Sequence, residues 1–140
     1  MDVVSIGTNR YRIAKLTQDS PFVIARVELF SDDFEDEGKL SQALEEILES
    51  GKEFLKALEL FDDSAANIAD SLPEEPEAFS MLISSLLPVE NDTKQELLEM
   101  TSTHLRLTRL RSYIKNALTF FYRQAELKAR AKNNGHGKQR

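Results

Sequence analysis

The chain has 140 residues, which is enough for one domain with a modest core. A hydrophobic content of 41% with 30% charged residues describes a globular chain, and the lack of cysteine excludes a disulfide framework and any thiolate metal site. A net charge of −6 argues against nucleic acid as a partner, and no apolar run approaches the roughly 20 residues that a membrane span requires.

The absence of cysteine suits a reducing cytoplasm, and a cytoplasmic location is the expectation. The first ten residues, MDVVSIGTNR, have no basic segment leading into an apolar one, so no secretory signal is expected.

Three short strands are predicted first. They are Val3–Val4, then Tyr11 and Ile13 alternating with Arg12 and Ala14, then Val23, Ala25, Val27 and Leu29 alternating with Ile24, Arg26 and Glu28. Period-two alternation of β-branched and aromatic residues predicts half-buried antiparallel strands. Gly7–Thr8–Asn9 and Gln18–Asp19–Ser20–Pro21 are turn clusters, and the acidic stretch Ser31–Gly38 reads as a loop.

Helical spacing takes over at Lys39–Phe61, where Leu40, Leu44, Ile47, Leu48, Leu55 and Leu58 make one apolar stripe. Gly51 is a weak point inside it, costing about 1 kcal/mol relative to alanine. Asp62, Asp63 and Ser64 end this helix and can cap another over Ala65–Leu72, with Pro73 and Pro76 bracketing the next turn. Ala78, Phe79, Leu82, Ile83, Leu86 and Leu87 keep helical spacing until Pro88 stops the run. Asp92 and Thr93 offer cap oxygens to the short helix Lys94–Glu99. A last helix runs from Thr103 to about Lys132, with Leu105, Leu107, Leu110 and Ile114 as its apolar positions, before a frayed tail over 133–140.

The fold class expected is α+β. A short antiparallel β meander over 1–30 precedes a predominantly helical bundle over 39–132, all within a single domain 1–132. Leu44, Leu48, Leu82, Leu86, Leu98, Leu107 and Leu110 are the expected core.

Charge is unevenly spread. Asp32–Glu77 carries sixteen acidic residues against three lysines, whereas Arg106–Arg140 carries ten bases against Glu126. Such blocks predict acidic and basic helices that face each other or water.

No active-site constellation is visible. There is no phosphate-cradling G-x-x-x-x-G-K-[ST] loop and no G-x-S-x-G elbow, and the only histidines are His104 and His136. His104 reads as a helix-start or surface residue. Asp33-x-Glu35-x-Glu37-Gly38 imitates the start of a calcium loop, but Leu44 stands where the twelfth-position glutamate is needed. The expectation is a solvated acidic loop, with no metal, no cofactor and no catalytic residue. Glu45, Glu46, Glu49 and Glu53 read as the wet face of their helix. The run Phe120–Phe121–Tyr122 is the one unusual surface signal. Successive helical residues step about 100° around the axis, so the three cannot all face one core. These three are the candidate protein-binding residues.

The order of several motifs resembles the amino-terminal, substrate-binding domain of Lon-type ATP-dependent proteases. In that family a helix ending in a leucine-rich turn is followed by a KQ-x-LLE helix, a polar link and an RL-x-x-L helix. Here these are Leu86–Leu87, then Lys94–Gln95 with Leu97–Leu98–Glu99, and Arg106–Leu107 with Leu110. Upstream, Gly7–Thr8–Asn9–Arg10–Tyr11–Arg12–Ile13 and Ala25–Arg26–Val27–Glu28 look like the family's G-x-R-F-R-I and A-R-V-E strands. The similarity covers roughly Ile6–Leu118. Relative to the family the chain is truncated on its amino-terminal side, lacking the strands that complete a barrel-like β-half. A sheet missing neighbours exposes an edge and an apolar face, which favours self-association.

The family joins this domain to ATPase and Ser–Lys protease modules, neither of which fits in the chain. The resemblance therefore implies recognition of unfolded or client polypeptide without hydrolysis. A structural or regulatory interaction domain acting through helix-mediated self-association, and hence a homo-oligomer, is the alternative.

Overall fold

The computed structural model describes residues 7–61, 68 and 72–135. The strand expected at Val3–Val4, most of the helix expected at Ala65–Leu72 and the last five residues of the tail lie outside these. The described elements are β1 (Arg10–Gln18), β2 (Ile24–Phe30), α1 (Glu37–Glu59), α2 (Pro76–Leu86), α3 (Asn91–Glu99) and α4 (Thr103–Gly135), an α+β arrangement. The chain divides into two compact units, Met1–Phe34 and Glu35–Arg140.

The first unit is an antiparallel hairpin. Tyr11 pairs with Leu29 and Ile13 with Val27; after an irregularity at Ala14, Leu16 pairs with Ala25. The extra residue matters, because side chains alternate strictly between faces and one inserted residue swaps them. Leu16, which simple alternation would place with Arg12, instead joins Tyr11, Ile13, Ala25, Val27 and Leu29, so that one face is wholly apolar. The opposite face carries Arg10, Arg12, Lys15, Arg26 and Glu28. The Arg10 and Arg12 guanidinium groups lie 4.6 and 5.0 Å from the Phe30 ring centroid, and Arg10 also pairs with Asp32. The expected half-burial of these strands is corrected: Tyr11, Ile13, Leu16, Val27 and Leu29 are all exposed. A two-stranded ladder satisfies its own inner edge but supplies no second layer to cover a face.

In the second unit α1 and α4 run side by side in the same direction. Glu35 meets His104, Glu46 meets Arg111 at 2.6 Å and Glu53 meets Tyr122, so partner numbers climb together. Of these contacts Glu46–Arg111 joins a charge of the acidic block to one of the basic block. Parallel neighbours place two helix N-termini together, each with unsatisfied amides and a partial positive charge. Adjacent carboxylates answer both. Asp36 caps α1 by accepting from the Lys39 amide at 2.9 Å. Glu35 accepts from the His104 amide at 3.1 Å and from the Ser102 hydroxyl at 2.7 Å, while Ser102 Oγ accepts from the Leu105 amide. α4 has no acidic residue in its own first turn, so Glu35 supplies that charge from across the interface. The acidic loop expected to be merely solvated is in part a double helix cap.

Arg106 fixes the link between α2 and α4. It is fully buried, donating to Ser80 Oγ at 2.8 Å, to the Met100 carbonyl at 2.8 Å and to Thr103 Oγ1 at 3.3 Å. A buried charge is costly unless its donors are used, and here they tie α2 to the α3–α4 turn.

The core comprises Ile47, Phe54, Leu55, Phe79, Ile83, Leu87, Leu97, Leu107, Leu110, Ile114, Ala117, Leu118 and Phe121 with Ala57. Leu107 and Leu110 are buried as expected, while Leu44, Leu48 and Leu86 pack at its margin. Leu98 is corrected: it is 43% exposed and Leu97 is buried instead. A nine-residue helix with one covered face can turn only one of two adjacent leucines inward. Leu105 is likewise exposed. Phe54 escaped the stripe because α1 packs on both α2 and α4, which widens its buried face beyond one row. Asp92 and Thr93 are not caps. α3 starts at Asn91, earlier than expected, with Glu90 as N-cap and no side-chain cap bond. α4 likewise runs past Lys132 to Gly135.

Gly51 has a packing reason. A Cβ built there would lie 2.8 Å from Phe79 Cζ, and Phe79 is fully buried. Gly51→Ala is expected to lower the unfolding midpoint, because overpacking costs about 1–3 kcal/mol against a helix-propensity gain of about 1 kcal/mol. Adding Phe79→Leu should recover part of the loss, and a stabilised single variant in chemical denaturation would overturn this. Glu35→Ala should cost about 0.5–2 kcal/mol, the range for a lost helix cap. Amide exchange in the first turn of α4 should accelerate with it, and unchanged exchange there would refute the capping role.

Candidate functional site

The aromatic run on α4 is split by the helical step. Phe121 points inward and is 5% exposed, with ring centroids 6.2 Å from Phe54 and 5.0 Å from Phe61. It is a core residue. Phe120 and Tyr122 flank it, each 52% exposed, on different sides of the helix. Phe120 stands edge-on to Phe121 at 5.8 Å, so the buried ring braces the exposed one.

Tyr122 turns toward α1, where its hydroxyl donates to the Glu53 carboxylate. This hydrogen bond first, then lost hydration and the negative charge of Glu53, hold the phenol above its ordinary value. Phe120 turns the other way and forms one wall of an open groove of about 430 Å³. Pro88 and Val89, from the turn after α2, make the facing wall, and Tyr113, Asn116 and Ala117 of α4 complete it. Its volume falls in the range of roughly 300–1,000 Å³ typical of ligand sites. The lining is mainly apolar, with Asn116 and Tyr113 as its polar residues.

Phe120 was expected at the surface from the aromatic run, whereas nothing in the sequence pattern pointed to Pro88 and Val89 beside it. Pro88 registered only as a helix stop, although a rigid residue at a leucine-rich turn also makes a fixed apolar edge. A second, smaller apolar depression of about 270 Å³ lies between α2 and α3, lined by Met81, Ser84, Ser85, Lys94 and Leu98. Lys94 is committed there, its ammonium donating to the Ser85 carbonyl at 2.8 Å. The three sequence candidates therefore do not lie on one surface patch.

His104 sits in the first turn of α4, as expected for a helix-start residue. Among the described residues no group of three or more His, Cys, Asp or Glu side chains could hold a metal ion. None of the described helices is long and apolar enough to cross a membrane.

The described elements are an antiparallel hairpin and a leucine-rich helical unit that carries a mainly apolar groove. The family model of the ATP-dependent protease La (LON) substrate-binding domain matches residues 1–116, and the chain belongs to that family. No curated protein matches it. The matched span ends inside α4, so the groove straddles its limit: Pro88, Val89, Tyr113 and Asn116 lie within it, Ala117 and Phe120 beyond.

The phenol of Tyr122 should titrate above the ordinary value of about 10. Because the folded value is raised, the contribution of the Tyr122–Glu53 contact is full below the ordinary phenol range and is lost as pH rises through the raised value. Phenolate absorbance of the native protein and of Tyr122→Phe gives the test. The difference trace should rise above pH 10, and a trace coincident with free tyrosine would count against it.

Proposed function

We propose that the chain is a non-catalytic polypeptide-binding module that holds an apolar side chain of an unfolded client in the Phe120 groove. Membership of the substrate-binding family supports the general role. The observation that carries the location is the half-exposed Phe120 ring, braced from behind by Phe121 and facing the rigid Pro88–Val89 edge. A preformed apolar slot loses little conformational entropy on binding.

Self-association is the second reading, favoured by the wholly apolar hairpin face. Two such faces packed together would each gain the layer that a lone hairpin lacks.

One sedimentation experiment addresses both. Labelled, unfolded casein should co-sediment with the protein without being cleaved. Phe120→Asp should weaken that complex about tenfold or more, equivalent to about 1.4 kcal/mol, while Leu105→Ser, at an exposed leucine away from the groove, should not. Equal binding by both variants would remove the groove from the proposal. The protein alone, sedimenting as a 15.9 kDa species at every concentration, would remove self-association.

A further inference from the structure

α4 outruns the helix it packs along. α1 ends at Glu59, whereas α4 continues to Gly135, and none of its residues 122–131 is buried. A helix that continues from a packed segment needs no new nucleus, so these turns form a ready-made surface.

Their apolar residues make a strip. At about 100° per residue, Leu127 stands two turns beyond Phe120 and within about 20° of it, and Ala131 follows one turn later, about 20° to the other side. Phe120 and Leu127 are each 52% exposed, and Ala131 is exposed too. At 1.5 Å per residue the strip runs about 16 Å outward from the Phe120 wall of the groove. Arg123 and Arg130 border it about 60–80° to one side, and Lys128 about 80° to the other. The Lys128 ammonium is held there, 4.5 Å from the Phe61 ring centroid. Glu126, the one acid between Phe120 and Ala131, is turned about 120° from Phe120.

Both borders of the strip are therefore basic, and that selects the occupant. A second copy would set bases against bases in either direction. Antiparallel pairing places each border against itself, and parallel pairing places one border against the other. An extended segment turns alternate side chains away from the strip, whereas a helix presents one apolar row with both of its borders beside it.

We propose that the outer turns of α4 dock an amphipathic helix whose apolar row is bordered by acidic residues on both sides. Only the seating of that helix's inner end in the groove rests on the proposed function; the outer turns do not.

The probe is a labelled synthetic helix with one leucine row and glutamate borders, titrated with the full chain and read by anisotropy. It should bind saturably, and its counterpart with lysine borders should not. Leu127→Asp, outside the groove lining, should weaken binding about tenfold or more. Arg123→Glu together with Arg130→Glu should shift the preference about tenfold towards the lysine peptide, a reversal that structural damage cannot produce. Equal binding of both peptides, or binding indifferent to Leu127→Asp, would overturn the proposal. A dimer of the protein alone that Leu127→Asp dissociates would make a second copy the occupant and overturn it as well. So would binding that a short oligonucleotide displaces and Leu127→Asp leaves intact. Casein held through Phe120, with the acidic peptide ignored, would remove the strip and leave the groove standing. Peptide binding lost with Leu127→Asp, but without casein binding, would do the reverse.

Discussion

The helical unit depends on how two parallel helices are allowed to start side by side. α1 and α4 bring their N-termini together, and each presents amides with no intrahelical acceptor. Like ends of two helix dipoles repel. The dipeptide Glu35–Asp36 resolves this at one point of the chain, Asp36 serving α1 and Glu35 serving α4. Because the two carboxylates are neighbours in sequence, the caps also set the relative height of the helices. Downstream contacts keep that setting: Glu46 reaches Arg111, Glu53 reaches Tyr122 and Phe61 stacks on Phe121.

Parallel neighbours cannot be joined by a tight turn, so the intervening chain must travel back. α2 and α3 occupy that crossover, and Arg106 anchors it by binding Ser80 on α2 and the Met100 carbonyl before α4. An apolar residue there could fill the space but could not hold two elements at fixed donor positions. With α2 so fixed, the Pro88–Val89 turn is delivered to the middle of α4, opposite Phe120. The groove is a by-product of the crossover: a helix that ends abruptly at proline leaves a step, and the aromatic side chain on α4 turns that step into a slot.

The hairpin unit obeys another logic. Its irregularity at Ala14 gathers six apolar residues on one face, although they do not follow simple alternation along β1. The result is an amphipathic ribbon with arginines stacked on Phe30 on the other side. The helical unit has its own core and its polar burial is satisfied; among the described residues no buried side-chain nitrogen or oxygen lacks a partner. Among the described residues, exposed apolar side chains gather on the hairpin face, and Phe120 adds one beside the groove.

Family resemblance, the α+β order and most of the helical stripes were legible in the sequence, because they rest on local quantities: residue spacing, proline stops and short ordered motifs. Leu107 and Leu110 follow from period alone. Long-range geometry decided the rest. Leu97 rather than Leu98 is buried because α3 has only one covered face, and Phe54 is buried because α1 has two neighbours. Glu35 and Asp36 read as part of a solvated loop, since a bond from Glu35 to Ser102, 67 residues later and just before α4, leaves no periodic trace. The aromatic run showed that at least one ring had to leave the core. Two do, Phe120 and Tyr122, and what Phe120 faces depended on the crossover that sets Pro88 and Val89 against it. The sequence determined the elements and their apolar faces, because those follow from neighbours along the chain. Only the tertiary structure decided where two faces leave a gap, because a gap is defined by residues that are distant in sequence.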